Sequence, residues 1–416
     1  MNTPSATTTK PHVIIAGAGF AGVRAALQLC RSGLFQVTII TPNDTFAYYP
    51  QFYHTATGGA RSESALPLAE LFAGCEVSIV RDSVASLDPD HQTLTTAAGQ
   101  AHHYDELILA LGSVTNYFGI KGLEEFSYDI KSASGAERFK AHLHKQLVDH
   151  EEPDLNYVIV GGGPTGVELA AALGDYLKRI VALHGVRKPK YTIELIEAAP
   201  RLLPRSPEDM AAKVQRRLEK LGVKVMTGAT VEGETADGLM VSGQEIKSQT
   251  VVWTAGVANN PFFKANAACF TLAKNGRVEV DEHLETRPGV HVIGDNAVTP
   301  YGGMAQTAIV DANFAAADLT HKYRQQERPA YVPKPTISVI PVGGMWAAVL
   351  WGKVRIYGVI GWALRRAADL VAYHDIEHAR NALRVWLQDN KHEDNCQTCS
   401  PETVIRPDTQ PAHRKH

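Results

Sequence analysis

Apolar residues along the chain alternate between short continuous runs and helical repeats. His12 to Ala16 is a run of strand formers entering Gly17-Ala18-Gly19-Phe20-Ala21-Gly22. The following VRAALQLCRSG carries apolar residues at helical spacing and ends at Gly33, after which Gln36 to Thr41 predicts the next strand. The same order recurs at Tyr157 to Val160, Gly161-Gly162-Gly163-Pro164-Thr165-Gly166, VELAAALGDYLKRIVAL and Tyr191 to Glu197. No shorter period runs through the chain, so the pattern predicts two nucleotide-binding domains and not an array. Between and after these units VSIVRDSVASLD, TLTTAAG and DELILALGS are expected to return to the first sheet, and VKVMTGATVEG, LMVSG and SQTVVWTAGV to the second. Val290 to Gly294 predicts a strand leading to Asp295, and Thr307 to Gln325 a helix. Prolines punctuate Arg328 to Pro335. Beyond them TISVIPVGG, MWAAVLWG and KVRIYG predict a small sheet, followed by helices at Val359 to Tyr373 and Ile376 to Asp389, and a polar tail from Lys391.

The glycine turns carry the chemistry. A pyrophosphate can rest on the first turn of a helix only where amides point at it and no side chain intervenes. In each unit the first glycine (17 or 161) makes the tight turn, the second (19 or 163) leaves room for phosphate, and the third (22 or 166) lets helix and strand approach. Two such motifs, each after an apolar strand and before a helix, are far more specific than one. A carboxylate ending the second strand would accept from ribose hydroxyls. Glu197 meets that test in the second unit and would repel a 2′-phosphate, so NADH is expected over NADPH. Arg201 is the competing phosphate ligand. In the first unit the equivalent position is Thr41, with Asn43 or Asp44 as substitutes.

Composition narrows the reading. The chain has 416 residues, 44% hydrophobic and 20% charged, an ordinary globular balance. A net charge of −3 gives no field that would gather nucleic acid, so no nucleic-acid partner is expected. Five scattered cysteines and a start without the basic and apolar regions of a signal peptide point to a reducing cytosol. Lys353 and Arg355 divide the apolar stretches near the C-terminus, and neither piece reaches the ~18 residues of a spanning helix. Attachment to a membrane face needs only one apolar surface. Cys30, Cys75 and Cys269 read as small buried hydrophobes. Cys396 and Cys399, preceded by His392, have metal spacing but no second pair, so no metal is expected.

The order of these pieces resembles the two-dinucleotide-binding flavoproteins, and its details the type II NADH dehydrogenases (NADH:quinone oxidoreductases), from about His12 to about Gln388. Tyr53 to Gly58 after Pro50, Asp105 to Ser113, Asn116 to Gly122, Gly163 to Ala170, Glu197 to Pro204, Thr254 to Gly256, Ile293 to Asp295 and Ala305-Gln306 carry the match. The resemblance implies an α/β fold: two Rossmann-like, glutathione-reductase-like domains plus a small C-terminal α+β domain. Residues 1–122 and 266–328 would be two parts of an FAD-binding domain, 123–265 an NADH-binding domain, 329–390 a C-terminal sheet and helix domain, and 391–416 a flexible tail. Gly17, Gly19, Phe20, Ala21, Gly22 and Thr41 would hold the ADP of FAD. Pro50, Ala110, Gly112, Ala305 and Gln306 would flank the flavin, and Gly294 and Asp295 its ribityl and phosphate groups. Gly161, Gly163, Pro164, Thr165, Gly166, Glu197, Ala255 and Gly256 would hold NADH, with Glu168 near the nicotinamide and Gln306 beside a quinone head-group. The family's motif continues with two further glutamines where this chain has Val310 and Asp311.

The implied reaction passes hydride from NADH to FAD and two electrons to a membrane quinone without proton pumping. The segment Phe46 to Gly59 holds no cysteine, which excludes a disulfide-reductase mechanism. In the last helix Ala379, Leu383, Trp386 and Leu387 form an apolar stripe bordered by Arg380 and Arg384, expected to meet the inner face of the cell membrane or a homodimer mate. The alternative is an NADH-responsive redox sensor of the apoptosis-inducing-factor kind, or another NAD(P)H:acceptor oxidoreductase.

Overall fold

The computed structural model describes residues 10–149, 154, 156–183, 190–376 and 379–388. The first sheet has six strands in the order Glu285–Arg287, Val290–Val292, Glu106–Leu109, His12–Ala16, Gln36–Ile40, Val77–Val80. All but the Glu285–Arg287 edge run parallel. Its central strands are buried on both faces, by helical residues such as Val23, Leu27 and Ala312 on one side and by Leu87, Leu94, Phe262 and Phe263 on the other, and read as apolar runs. Helix α1 (Phe20–Ser32) leaves the first strand through the glycine turn and ends at Gly33, whose left-handed φ of 69° lets its N–H cap Cys30. The second sheet has the parallel order Val223–Thr227, Thr192–Glu197, Asn156–Val160, Thr250–Trp253, and helix α2 (Pro164–Leu183) follows its own glycine turn. In both sheets the strand before the glycine turn has neighbours on either side, which opens a crevice at the strands' C-terminal ends.

Not every run rejoins these sheets as expected. Val84–Asp88, Thr93–Thr96 and Ala101–His103 form a separate antiparallel sheet, and Val231–Thr235, Gly238–Val241 and Gln244–Lys247 another. Their strands mix buried and exposed residues, as in a sheet with one wet face. Ser113–Thr115 pairs antiparallel with Val257–Asn259, tying the two units together just beyond the strands that face the glycine turns.

Helix α3 (Ala305–Tyr323) shares a core with α1, and their alanine-rich faces (Ala25, Ala26; Ala308, Ala312, Ala315) allow close approach. Ser338–Pro341, Ala347–Trp351 and Val354–Gly358 make the expected small antiparallel sheet. Helices α4 (Val359–Ile376) and α5 (Ala379–Gln388) follow it. Helix α4 is inverted. Arg365, Arg366, Asp369 and Tyr373 are buried, while Val359, Ile360 and Val371 are exposed. The stripe expected on α5 is split: Leu383 and Leu387 are exposed, whereas Trp386 turns inward beside Ala382 and Val385, donates to the Arg366 carbonyl at 2.7 Å and lies under the Arg366 guanidinium. Among the described residues no helix is long and apolar enough to cross a membrane. Cys396, Cys399 and His392 lie outside them.

The segment joining α3 to the small sheet is anchored by charge. Arg328 donates from Nε to Asp318 Oδ1 at 2.9 Å, and from its terminal nitrogen to Asp318 Oδ2 and, at 2.8 Å, to Glu285. His283 contacts the same aspartate at 3.1 Å, and His291 lies 3.4 Å from Glu285. Glu285, His291 and Asp318 have the grouping of metal ligands, but Arg328 already supplies the positive charge between the carboxylates. Breaking a largely buried pair by removing one partner strands the other charge. Arg328→Ala is therefore expected to lower the unfolding free energy by about 2–4 kcal/mol in denaturant titrations, with Arg328→Lys recovering part of it.

Candidate functional site

The two glycine turns are built alike. Gly17 N–H donates to Ile40 at 2.8 Å and Gly161 N–H to Ile196 at 2.7 Å. Both first glycines have left-handed φ, 101° and 116°. A Cβ on Gly17 would stand 2.3 Å from the Ala110 carbonyl oxygen, and one on Gly161 2.7 Å from Ala255. A Cβ on Gly22 or Gly166 would stand 1.9 Å from the carbonyl oxygen of Gly17 or Gly161. Around Gly19 and Gly163 there is open space, and no side chain caps α1. These are the features of a pyrophosphate cradle: a helix start behind the turn, clearance at the second glycine, and no room for a side chain at the first and third.

Gly294 and Asp295 come to the first turn. A Cβ on Gly294 would lie 3.3 Å from Ala21 and 3.7 Å from Ala308, so the turn, the Asp295 corner and the start of α3 converge. Phe20, buried, packs edge-on against Phe46. Asp295 accepts from the Ser113 hydroxyl at 2.9 Å, and Lys131 donates to the same hydroxyl at 2.9 Å. Burial pulls Lys131 below the ordinary lysine range, against the pull of Asp295 and Asp129. Thr41 is buried, and its hydroxyl accepts from Asn43 N–H at 3.3 Å, while Asp44 is exposed and faces Arg81.

On the second turn, Pro164 and Thr165 are exposed at the start of α2. Glu197 accepts from Gly162 N–H at 2.6 Å and from Ala199 N–H at 2.7 Å, so its carboxylate is locked to the turn and not swinging freely. Arg201, the competing phosphate ligand, spends its guanidinium on the carbonyls of Leu202, Leu203 and Pro204. Gly256 abuts the Phe118 ring, and its carbonyl accepts from Asn116 N–H at 3.1 Å.

The stretch that follows Pro50 packs on the helix that carries Glu168. The helix Phe52–Ala56 packs on α2, and Arg179 of α2 donates to the Thr57 carbonyl at 3.1 Å. Glu168 is half-buried one turn into α2. Loss of solvent pushes its carboxyl up to about 8, opposed by Arg365 and reinforced by Asp369. Gln306 is exposed on the first turn of α3, with Ala305 before it, and pairs with a backbone: it donates to the Ile337 carbonyl at 3.2 Å and accepts from Ile337 N–H at 2.9 Å. Its second amide hydrogen stays available as a donor.

Sequence reasoning missed three contributors. Asn296, fully buried, exchanges 2.8 Å hydrogen bonds with both backbone groups of Gly112 and donates to Asn259 at 2.7 Å, locking Gly112 to the Asp295 corner. Asp311, noted only as a departure, accepts from Gly294 N–H at 3.0 Å and from the Tyr331 hydroxyl at 2.5 Å, so it props the same corner from α3. Arg365 reaches the Pro50 carbonyl at 3.0 Å. Their signals were present in Gly294-Asp295-Asn296 and in charges spaced i, i+4 within an otherwise apolar helix. Cys30, Cys75 and Cys269 are half-buried, not fully buried as expected, and the Cys75 thiol is pushed up to about 11 by burial and its contact with Cys30, which disfavours the thiolate.

A family model described as pyridine nucleotide-disulphide oxidoreductase matches residues 11–313. The chain belongs to that family. It is 29% identical to the type II NADH:quinone oxidoreductase NdhA of Mycobacterium tuberculosis (strain ATCC 25618 / H37Rv), over 92% of this chain and 88% of that protein. It is 28% identical to the type II NADH:quinone oxidoreductase of Staphylococcus saprophyticus subsp. saprophyticus, over 70% of this chain and 76% of that one. Among solved structures it resembles NDH2 from Plasmodium falciparum in complex with NADH, with a TM-score of 0.81 at 17% identity over 91% and 97% of the two chains. The sulfide:quinone oxidoreductase of Aquifex aeolicus follows at 0.75 and 18% identity over 90% and 92%. Within this fold family the chain lacks the cysteine pair that disulfide chemistry needs beside Pro50.

Burial pushes the Asp311 carboxyl up to about 6, against the hydrogen bonds of Tyr331 and Gly294. Its folded value lies above its unfolded one, so the folded state holds the proton more tightly and Asp311 costs stability as pH rises from about 4 through about 6. Asp311→Asn keeps an acceptor for Gly294 and is expected to raise the melting temperature at pH 8 while leaving it nearly unchanged at pH 4; equal shifts at both pH values would contradict this.

Proposed function

We propose that this chain is a type II NADH:quinone oxidoreductase, a flavin-dependent enzyme that oxidises NADH and reduces a quinone. The matched pair of open glycine cradles is the observation that carries the reading, because one chain with two such sites is equipped to bring two dinucleotides together. FAD is assigned to the first cradle, with Gly17, Gly19, Phe20, Ala21, Gly22 and Thr41 at its ADP. Gly294 and Asp295 are assigned to its ribityl and phosphate groups, and Pro50, Ala110, Gly112, Ala305 and Gln306 flank its ring. Bound there, the flavin supplies the hydride acceptor that hands two electrons on. NADH is assigned to the second cradle through Gly161, Gly163, Pro164, Thr165, Gly166, Ala255 and Gly256, with Glu168 beside the nicotinamide. Glu197, fixed by two amides, keeps lone pairs for ribose hydroxyls and repels a 2′-phosphate, which favours NADH over NADPH. The free amide hydrogen of Gln306 can donate to a quinone carbonyl. The protein's part is alignment: holding two rings in contact turns a collision into an oriented step. The domain division given above, 1–122 with 266–328 around 123–265, follows from these assignments.

We also infer that the C-terminal domain rests on the inner face of the cell membrane through Val359, Ile360 and Val371 of α4 with Leu383 and Leu387 of α5. These large apolar side chains are exposed, two of them at 67% and 61% for Ile360 and Val371, and on α4 Arg365, Arg366 and Asp369 are turned inward. A homodimer mate covering the same face is the competing occupant.

Stopped-flow absorbance on flavin-loaded protein tests the activity. NADH is expected to bleach the flavin and a short-chain quinone to restore its colour within milliseconds to seconds, with higher kcat/KM for NADH than for NADPH. A long-lived charge-transfer complex that quinone does not discharge would favour the redox-sensing reading instead. In flotation assays the protein is expected to rise with anionic liposomes, and Ile360→Glu with Val371→Glu to leave it at the bottom of the gradient; a concentration-dependent dimer without flotation would assign the face to a second copy.

A further inference from the structure

We propose that the basic stripe Lys213, Arg216, Arg217 and Lys220, with Trp346 at its floor, docks the phosphate headgroups of anionic phospholipids. The proposal rests on the reading that the exposed apolar face of α4 and α5 meets a membrane, and adds which lipids that contact selects.

The stripe lies on the helix Glu208–Lys220, which packs on the edge strand Val223–Thr227 of the second sheet. The spacing i, i+3, i+4, i+7 puts the four cations on one face, while Met210, Ala211, Val214 and Leu218 bury another. Together with Trp346 the four line an open cleft of about 450 Å³. Aromatic rings form its base. Trp346 and Tyr357 stand 6.0 Å apart, the Arg217 guanidinium lies 5.9 Å over Trp346, and the Lys213 ammonium 3.9 Å over Tyr357. Arg217 is fixed by two bonds to the small sheet, from Nε to the Val342 carbonyl at 3.2 Å and from its terminal nitrogen to the Gly343 carbonyl at 3.1 Å. Lys213, Arg216 and Lys220 are exposed.

The charge of the stripe is uncompensated. Among the described residues none of the four forms an ion pair, although the chain as a whole carries −3. Of the acids on the same helix, Asp209 pairs with Arg355 at 3.0 Å, Glu219 accepts from Gln215 at 2.9 Å, and Glu208 stands in the first turn at the far end. Like charges three and four residues apart repel and weaken a helix, a cost that an anion laid along the stripe removes. The surroundings choose the anion. Gly358 pairs with Ala347, and a Cβ on it would lie 3.8 Å from the Trp346 ring. Val359 and Ile360 follow it directly, Met345 precedes Trp346, and all three are exposed. Exposed hydrocarbon, an amphipathic indole and a row of cations therefore adjoin, the order met on passing from the acyl chains to the headgroups of an anionic leaflet. A small soluble phosphate would have no use for the hydrocarbon.

Flotation of full-length, flavin-loaded protein tests this, with vesicles of phosphatidylcholine alone or of phosphatidylcholine mixed with phosphatidylglycerol. The stripe variant combines Lys213→Gln, Arg216→Gln and Lys220→Gln. A control variant, Lys247→Gln with Lys264→Gln and Lys274→Gln, removes the same charge from exposed positions elsewhere. The parent is expected to prefer the mixed vesicles, and to lose that preference as salt is added. The stripe variant should bind mixed vesicles roughly one hundredfold more weakly and phosphatidylcholine as the parent does. The control should keep the parent's preference, and all three proteins should turn over a water-soluble quinone alike. Equal loss in stripe and control variants, or none in either, overturns the proposal. Inorganic phosphate that binds the parent with submillimolar affinity in calorimetry but not the stripe variant, with vesicle binding the same in both, would assign the cleft to a free anion and overturn it too. A parent that floats equally with both vesicles keeps the membrane face and overturns the stripe alone; a parent that floats with neither overturns the membrane reading itself.

Discussion

Two backbone contacts govern the placement of everything else. The carbonyl oxygens of Gly17 and Gly161 sit where a Cβ on Gly22 or Gly166 would have to go. Only hydrogen fits, and because it fits, each helix lies close against its strand with its N-terminal amides aimed along the crevice. The backbone just past the strands across the crevice also crowds in, Ala110 on Gly17 and Ala255 on Gly161. A side chain at any of these positions would lift the helix and swing its positive end away from the ligand.

From this constraint the remaining pieces fall into support roles. Asn296 and Asp311 hold the Gly112 and Gly294 backbones from two sides, so the corner bearing Asp295 is defined by hydrogen bonds that leave little freedom. The Arg328 cluster pins the segment from which Tyr331 reaches Asp311. The Ser113–Thr115 and Val257–Asn259 pairing starts where each crevice strand ends, and so couples one cradle to the other.

Much of this was legible in the residues and some was not, for physical reasons. His12–Ala16 and Asn156–Val160 announce themselves because parallel strands buried on both faces need unbroken apolar runs. The glycines announce themselves because few other residues tolerate such close approach. The hairpins at 84–103 and 231–247 were assigned to the wrong sheets because strand pattern does not encode partner. Glu197 was legible as an acid, but its two short bonds to Gly162 and Ala199 depend on a loop closing in space. Gln306 could not be known to pair with Ile337, which lies beyond a proline-rich stretch. The α5 stripe misled because helical spacing fixes which residues share a face but not which face is turned inward; Trp386 went in with Ala382 and Val385 while Leu383 and Leu387 stayed out.

Helix α4 takes that last lesson further. Its hydrocarbon looks outward and its ion pair inward, so the ordinary intuition about which positions tolerate change is reversed along its length. Replacing the outward Val359, Ile360 and Val371 with polar residues would leave the fold's interior untouched, whereas exchanging the inward arginine for a greasy residue of equal bulk, the move that commonly stabilises a scaffold, would cut the tether to the Pro50 loop. An engineer seeking a better-behaved variant of this molecule should redecorate the side of the helix that looks like core and leave alone the side that looks like surface.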